Sequence, residues 1–189
     1  MTTFYLVRHA HAVWTPDENR PLSAQGSRDA IRVADTLSEY PVDTIYSSPA
    51  TRARQTIAPF AEQLELQIYI ELELRERKLG EGKFEDFFRA VEATWLDPSF
   101  AHPGGETSIE AQKRGLAVMK QLQAKSPNEA VVLSTHGNLM ALILQGFIPS
   151  VDFAFWKSLT MPDVYKLNIN PSGEVEIQRL WQNVINIEP

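Results

Sequence analysis

Phe4-Tyr5-Leu6-Val7-Arg8-His9, near the start of the chain, joins four apolar residues directly to two polar ones. A short continuous run of aromatic and branched residues is typical of a buried β-strand. The run ends abruptly at Arg8 and His9, so two polar side chains stand at the exit of this strand. A loop predicted over residues 10–22 follows, since proline, asparagine and aspartate are frequent there.

The rest of the chain alternates predicted helices and strands. We expect Ser23 to cap a first helix, and Ser47-Ser48-Pro49 to open a second helix with proline at its first position. We expect Pro59 to kink or shorten that second helix. Helices are predicted over about residues 24–39, 49–64, 84–96, 108–125 and 138–146. Strands are predicted over residues 42–46, 66–70 and 130–134.

Two alternating segments close the chain, over residues 164–169 and 174–181, and Asn170-Pro171-Ser172-Gly173 joins them as a hairpin turn. Strands that alternate with helices, followed by a terminal hairpin, predict a three-layer α/β sandwich. Its central sheet should be mostly parallel, with an antiparallel C-terminal hairpin. Ligands bind beyond the carboxyl ends of the strands in such sheets.

Composition limits the class of protein. The 189 residues, of which 43% are hydrophobic, suit one domain over residues 1–189. A net charge of -6 argues against a nucleic-acid partner, and no apolar run approaches the roughly 20 residues of a membrane span. The chain has no cysteine, which excludes thiolate chemistry and cysteine-bound zinc. No signal-like segment precedes the first strand, so we expect a cytoplasmic protein. The oligomeric state stays open, with a homodimer as one possible state.

Unusual polar residues follow three of the predicted strands. Arg8-His9 ends the first strand, Arg52 lies in the first turn of the helix after the second, and Thr135-His136-Gly137 follows the strand over residues 130–134. These residues should meet at one edge of the sheet. Arginine and helix N-termini bind phosphate oxygens, and an imidazole nitrogen is a competent nucleophile toward phosphorus.

Five motifs, in this order and spacing, resemble the histidine phosphatase superfamily in its phosphoglycerate mutase-like branch. They are Leu6-Val7-Arg8-His9, Ser47-Ser48-Pro49-Ala50-Thr51-Arg52-Ala53-Arg54-Gln55-Thr56, Leu74-Arg75-Glu76-Arg77-Lys78-Leu79-Gly80, Pro103-Gly104-Gly105-Glu106-Thr107 and Ser134-Thr135-His136-Gly137. The resemblance covers about residues 4–145. It implies a phosphoglycerate mutase-like fold, with a short lid insertion at about residues 77–108.

The resemblance also implies a role for each matching residue. His9 would be the nucleophile that becomes phosphohistidine, Arg8 and Arg52 would hold the phosphoryl oxygens, and His136 would donate a further hydrogen bond. Glu76 would be the general acid and base. The chemistry would need no metal ion or cofactor, because arginine and imidazole neutralise the transferred group. Four glutamates lie close together between residues 71 and 81, and the Leu-Arg-Glu context selects Glu76 among them.

The chain departs from the family pattern after the nucleophile. Ala12 lacks a hydroxyl that often contacts the phosphate, and Thr15 stands where an asparagine often helps to bind it. We expect Thr15 to substitute in part through its own hydroxyl. The lid carries several aromatic residues and few arginines, which argues against a strongly anionic substrate.

We therefore predict a phosphoric monoester hydrolase that acts on a small phosphorylated metabolite. One alternative is a phosphoglycerate mutase-type transfer, which needs a better-closed lid to exclude water. Another is a weakly active phosphate-binding regulatory domain, suggested by Ala12 and Thr15.

Overall fold

One mixed sheet of six strands forms the centre of the computed structural model, which describes residues 1–15, 19–170 and 172–182. The strands are β1 (Thr2–Arg8), β2 (Thr44–Ser47), β3 (Ile68–Ile70), β4 (Ala130–Thr135), β5 (Asp163–Ile169) and β6 (Val175–Arg179). Their order across the sheet is β3-β2-β4-β1-β5-β6. The first four are mutually parallel, while β5 runs antiparallel to β1 and β6 antiparallel to β5. The predicted mostly parallel sheet with an antiparallel C-terminal hairpin is confirmed.

Six α-helices surround this sheet in the described part of the chain. They are α1 (Ala24–Ser38), α2 (Thr51–Gln63), α3 (Phe87–Leu96), α4 (Ser108–Lys125), α5 (Gly137–Gln145) and α6 (Phe153–Ser158). The Ser23 side chain caps α1, as expected, by accepting a hydrogen bond from the backbone N–H of Gly26. Thr107 and Glu110 form a capping box at the start of α4. Within the described residues, no helix combines the length and apolar character needed to cross a membrane.

The side chains of β1 alternate between two separate hydrophobic cores. Phe4 and Leu6 pack into a core built with α4 and α5, whereas Tyr5 and Val7 pack on the opposite face with α1 and α2. All four side chains are at most 1% exposed. This alternation produces the predicted three layers, with a helical layer on each side of the sheet.

Several local predictions differ from the structure. Helix α2 begins at Thr51, so Pro49 precedes it and is not its first residue, and the helix runs through Pro59 as far as Gln63 without being shortened. Helix α6 was not predicted, because its six residues are too few for a helical repeat to show. Helix α3 begins at Phe87 rather than residue 84, since Asp86 caps it by accepting from the Arg89 N–H. Part of the predicted 10–22 loop, residues 16–18, and Pro171 of the hairpin turn lie outside the described residues.

The register of the sheet brings three strand ends together. Arg8 of β1 pairs with Thr135 of β4, and Ser134 of β4 pairs with Ser47 of β2. Because these three strands are parallel, their carboxyl ends lie side by side at one edge. The residues that follow them therefore start from neighbouring positions.

Candidate active site

His9 lies directly beyond β1, and its two ring nitrogens have different partners. Nδ1 is 2.8 Å from the carbonyl oxygen of Ala10, while Nε2 accepts a hydrogen bond from Nε of Arg52 at 3.2 Å. A carbonyl oxygen can only accept, so Nδ1 carries the proton and Nε2 keeps its lone pair. Burial lowers the pKa of His9 to about 3, and the nearby positive charges of Arg52 and Arg8 act in the same direction. The ring is therefore neutral near pH 7.

The loop after His9 is fixed to the helices on the same side of the sheet. The backbone N–H of Ala10 donates to Oγ1 of Thr56 in α2 at 2.9 Å. The N–H of Ser23 donates to the carbonyl of His11 at 2.9 Å. A Cβ on Gly26 would lie 2.0 Å from that same carbonyl oxygen, so only glycine allows α1 to approach this closely. These contacts attach the backbone that follows His9 to α1 and α2.

Arg52 links the two predicted catalytic histidines. Its Nη2 lies 3.2 Å from Nδ1 of His136, in addition to the Nε contact with His9. The two imidazole centroids are 5.1 Å apart in an edge-to-face arrangement. The guanidinium is buried in the first turn of α2, which follows β2 directly. The structure thus brings His9, Arg52 and His136 together, as the sequence predicted.

His136 is 1% exposed, and both of its ring nitrogens are engaged. Nε2 lies 2.8 Å from Oγ of Ser48, and Nδ1 faces Arg52. Complete burial lowers the pKa of His136 well below its ordinary value, and the charges of neighbouring groups add to this effect. Donation to a bound phosphate therefore requires the ring to exchange one of these partners for a phosphate oxygen.

Arg8 is held by the segment just beyond α6, which was not predicted to belong to the site. Its Nη1 donates to the carbonyl oxygens of Leu159 at 2.8 Å and Thr160 at 3.2 Å, just beyond α6. Its buried Nε has no partner among the described residues. A Cβ on Gly137 would stand 2.7 Å from this nitrogen, so the glycine after His136 makes room for the guanidinium. Burial lowers the pKa of Arg8, while the charges of Glu76 and Asp163 oppose that shift.

Glu76 is fixed at the N-terminus of α5. Its two carboxyl oxygens accept backbone N–H bonds from Arg77 at 2.8 Å, Asn138 at 3.0 Å and Leu139 at 2.9 Å. A helix N-terminus is a favourable place for a carboxyl group, because its first N–H groups lack partners within the helix. Glu76 thus lies on the wall of the cavity that also holds His9 and His136.

The candidate site opens into two adjoining cavities that share seven lining residues. The larger, about 650 Å³, has Thr15, Asn19, Ser48, Arg75 and Lys78 on its walls, and we call it the polar arm. The smaller, about 430 Å³, contains His9 together with Phe87, Val91, Trp156 and Met161, and we call it the aromatic arm. The shared residues are Trp14, Arg20, Arg52, Glu76, Leu79, Arg77 and His136. Thr15, the predicted phosphate contact, therefore lines the polar arm beside Arg52 and not the arm that holds His9.

The cavity is more cationic than the composition of the lid suggested. Six cationic side chains line the two arms against one carboxylate, that of Glu76, as far as the chain is described. These cations are Arg8, Arg20, Arg52, Arg75, Arg77 and Lys78. Arg77 was missed as a candidate because it lies in a charged segment that resembles a solvated loop, although it is only 3% exposed. Elsewhere in the described residues, no three histidine or acidic side chains are grouped to hold a metal ion.

Comparison with known proteins places the chain in a family. A sequence model of the histidine phosphatase superfamily, branch 1, matches residues 4–181. The chain belongs to this superfamily. The family resemblance inferred from the five motifs is thereby confirmed.

The relatives of this histidine phosphatase chain include proteins named as phosphatases and proteins named as phosphoglycerate mutases. It is 27% identical over 150 residues to the uncharacterized phosphatase PhoE of Bacillus subtilis, which covers 76% of each chain. It is 25% identical over 216 residues to a 2,3-bisphosphoglycerate-dependent phosphoglycerate mutase of Pseudoalteromonas atlantica, covering 89% of this chain and 95% of that protein. The structure of a mycobacterial glucosyl-3-phosphoglycerate phosphatase aligns with a TM-score of 0.76 at 21% identity, covering 95% and 97% of the two chains. These matches confirm the predicted fold and the predicted class, a phosphatase of the histidine phosphatase family.

Keeping His9 neutral has a consequence for the stability of this histidine phosphatase. The folded-state pKa is about 3 and the ordinary value 6.5, so only the unfolded chain takes up this proton between pH 7 and 5. The contribution of His9 to the free energy of unfolding is therefore fully present above pH 6.5, and it is lost as the pH falls toward 3. We expect the free energy of unfolding to drop by about 2 kcal/mol from His9 alone between pH 7 and 5.

Urea denaturation of the wild type and of His9→Gln, each at pH 7 and pH 5, measures this effect. The glutamine variant removes the titrating group, so its stability should fall less over the same interval. Equal losses in the two proteins would show that His9 does not stay neutral in the folded state.

Proposed function

We propose that this protein is a metal-independent phosphatase that hydrolyses small phosphomonoesters through a phosphohistidine intermediate on His9. The observation that carries the proposal is the pair of contacts to the His9 ring. The Ala10 carbonyl fixes the proton on Nδ1, and the lone pair of Nε2 lies beside the Arg52 guanidinium, 3.2 Å from its Nε. A neutral nucleophile next to a fixed cation is what attack on an anionic phosphorus centre requires.

The first proposed step transfers the phosphoryl group to the protein. Nε2 of His9 forms a bond to phosphorus as the ester P–O bond breaks, and the leaving alkoxide takes the proton of the Glu76 carboxyl. Glu76 must therefore hold a proton when the ester is bound.

The second proposed step returns the group to water. A water oxygen attacks phosphorus, the P–N bond breaks, and the Glu76 carboxylate takes a proton from the water. Inorganic phosphate leaves, His9 regains its neutral ring, and Glu76 is again protonated for the next cycle. One residue thus serves as acid in the first step and as base in the second.

Arg8 and Arg52 are proposed to neutralise the three phosphoryl oxygens, with His136 as a further donor. The unpartnered Nε of Arg8 is a donor that is already buried beside the site. Carbonyl oxygens of Leu159 and Thr160 hold the other side of this guanidinium, so it need not be reorganised during the reaction. Thr15 is proposed as a weaker phosphate contact on the polar arm.

Hydrolysis is favoured over mutase-type transfer by the access of water to the cavity. Trp14 lines both arms and is 73% exposed, so the mouth next to it is open to solvent. Residues 77–108, proposed as the lid of a single domain, contribute Leu79 and Phe87 to the walls. Phe87 is itself 52% exposed, so this part of the wall faces water as well.

The proposal is tested by phosphate release in the presence of a metal chelator. We expect p-nitrophenyl phosphate to be hydrolysed at the same rate with and without EDTA, because no step uses a metal ion. With 3-phosphoglycerate as substrate, inorganic phosphate should appear and 2-phosphoglycerate should not. Isomerisation without phosphate release would favour the mutase, and binding without turnover would favour a regulatory domain.

A further inference from the structure

Asp163, the first residue of β5, is 0% exposed, and four hydrogen-bond donors surround its carboxylate. Arg179 of β6 donates to both oxygens, through Nε at 2.9 Å and Nη2 at 2.7 Å. The backbone N–H groups of Thr160 and Val164 donate at 2.9 and 3.0 Å. Each carboxylate oxygen thus accepts one bond from the backbone and one from Arg179. An ionised carboxylate suits this surrounding, because it only accepts hydrogen bonds.

Stability alone does not explain the Asp163–Arg179 pair. The free-energy cost of taking two charges out of water largely offsets their attraction, and apolar residues often replace a buried ion pair without loss of stability. What such a pair supplies is direction, because its hydrogen bonds weaken steeply when their angles change. The backbone that this carboxylate reaches is the turn between α6 and β5, which also holds Arg8.

One peptide group joins the Asp163 carboxylate to the Arg8 guanidinium. The N–H of the peptide between Leu159 and Thr160 donates to Oδ2 of Asp163. The carbonyl oxygen of this same peptide accepts from Nη1 of Arg8 at 2.8 Å. Because the N–H and the C=O belong to one planar unit, anchoring the N–H also aims the carbonyl. The orientation of the Arg8 guanidinium therefore depends on the Asp163 carboxylate through this peptide.

We propose that Asp163, paired with Arg179, is a positioning residue that holds this peptide and thereby fixes the Arg8 guanidinium. The inference rests on the proposed function, in which Arg8 neutralises the phosphoryl oxygens. A donor that is already oriented needs no reorganisation when charge develops on those oxygens. Without the carboxylate, the turn loses its anchor, and the Nε of Arg8 is no longer held beside the site.

The first test replaces the carboxylate by an amide of the same shape. Asp163→Asn places an NH2 group against partners that are themselves donors, so the two bonds at one oxygen are lost. We expect kcat/KM for p-nitrophenyl phosphate to fall by about 10- to 100-fold, the range for one hydrogen bond to a charged group. Arg179→Met should have a smaller effect in the same direction, because both backbone N–H groups still reach the carboxylate.

A matched control pair lies in α1. Asp29 is likewise a buried carboxylate, 6% exposed, and it is paired at 2.8 Å with the partly exposed Arg32. Asp29→Asn and Arg32→Met should leave kcat/KM within about 2-fold of the wild-type value, as for a site that is independent of the reaction. Thermal unfolding curves show whether each variant and its control lose similar stability. If Asp163→Asn does not fold, Arg179→Met against Arg32→Met makes the same comparison.

A double-mutant cycle with Arg8→Met shows whether Asp163 acts through Arg8. In the Arg8→Met background, Asp163→Asn should change kcat/KM by less than about 2-fold, because the group that it positions is already absent. A general effect on the fold would instead lower kcat/KM by the same factor in both backgrounds. Single turnovers with enzyme in excess measure kcat/KM in the weakest variants.

The other outcomes distinguish this inference from the function on which it rests. A loss in Asp163→Asn and Arg179→Met that is no larger than in the α1 controls overturns the positioning role and leaves the phosphatase intact. A full loss from Asp163→Asn in the Arg8→Met background overturns it as well. Failure of the wild type to hydrolyse p-nitrophenyl phosphate, or wild-type turnover in Arg8→Met, would count against the proposed function itself.

Discussion

His9→Ala should lower kcat for p-nitrophenyl phosphate by at least about 10⁴-fold, the scale seen when a covalent nucleophile is removed. No other described side chain places an imidazole lone pair beside the Arg52 Nε in the same way, because His136 uses Nε2 for Ser48 and Nδ1 for Arg52. Steady-state kinetics over a range of substrate concentrations measures the loss. KM should change far less than kcat, since Arg8 and Arg52 remain to bind the phosphate.

His11→Ala is the matched control for this experiment. His11 is two residues away on the same loop, is exposed, and lies 2.8 Å through Nδ1 from Oγ of Ser23. We expect its replacement to change kcat by less than about 10-fold, the scale of one exposed hydrogen bond. Near-normal turnover in His9→Ala would refute the nucleophile assignment.

Glu76→Gln should separate substrates by the quality of their leaving groups. General acid catalysis contributes about 10²- to 10⁴-fold when the leaving alcohol is a poor leaving group. We therefore expect a loss of this size for an alkyl phosphate such as glycerol 3-phosphate. The loss for p-nitrophenyl phosphate should be below about 10-fold in the first step, because p-nitrophenolate leaves without a proton.

Pre-steady-state measurements of the two substrates distinguish this first step from the later attack of water. The control is Glu81→Gln, which changes a nearby carboxylate paired with Lys78 on the surface at 3.5 Å. It should slow neither substrate selectively. Equal slowing of both esters in Glu76→Gln would argue that the residue organises the cavity through its three backbone contacts and does not transfer a proton.

Much of the candidate site was predictable because its residues follow directly after buried strands. Buried strands are continuous apolar runs, so the polar residues that end them can be read from the sequence. Parallel pairing then brings His9, the helix that carries Arg52, and His136 to one edge of the sheet. The two hydrophobic cores on either side of β1 follow from the alternation of its side chains between opposite layers.

Other parts of the site depend on contacts that no local pattern contains. The carbonyl groups that hold Arg8 follow α6, a six-residue helix too short to produce a periodic signal. Arg77 lies in a charged stretch whose composition is typical of a solvated loop, yet tertiary packing buries it. Glycine after His136 was recognisable as part of a motif, but its reason, the close approach of Arg8, appears only in three dimensions.

Rapid quenching of the wild-type enzyme with a ³²P-labelled phosphomonoester shows whether the phosphoryl group passes through His9. We expect a transient protein label that is stable to base, labile to acid and located by peptide mass spectrometry on His9. The label should form and decay at rates compatible with kcat. Phosphate release in full turnover with no such label, or with a label on another residue, would refute the phosphohistidine intermediate on His9.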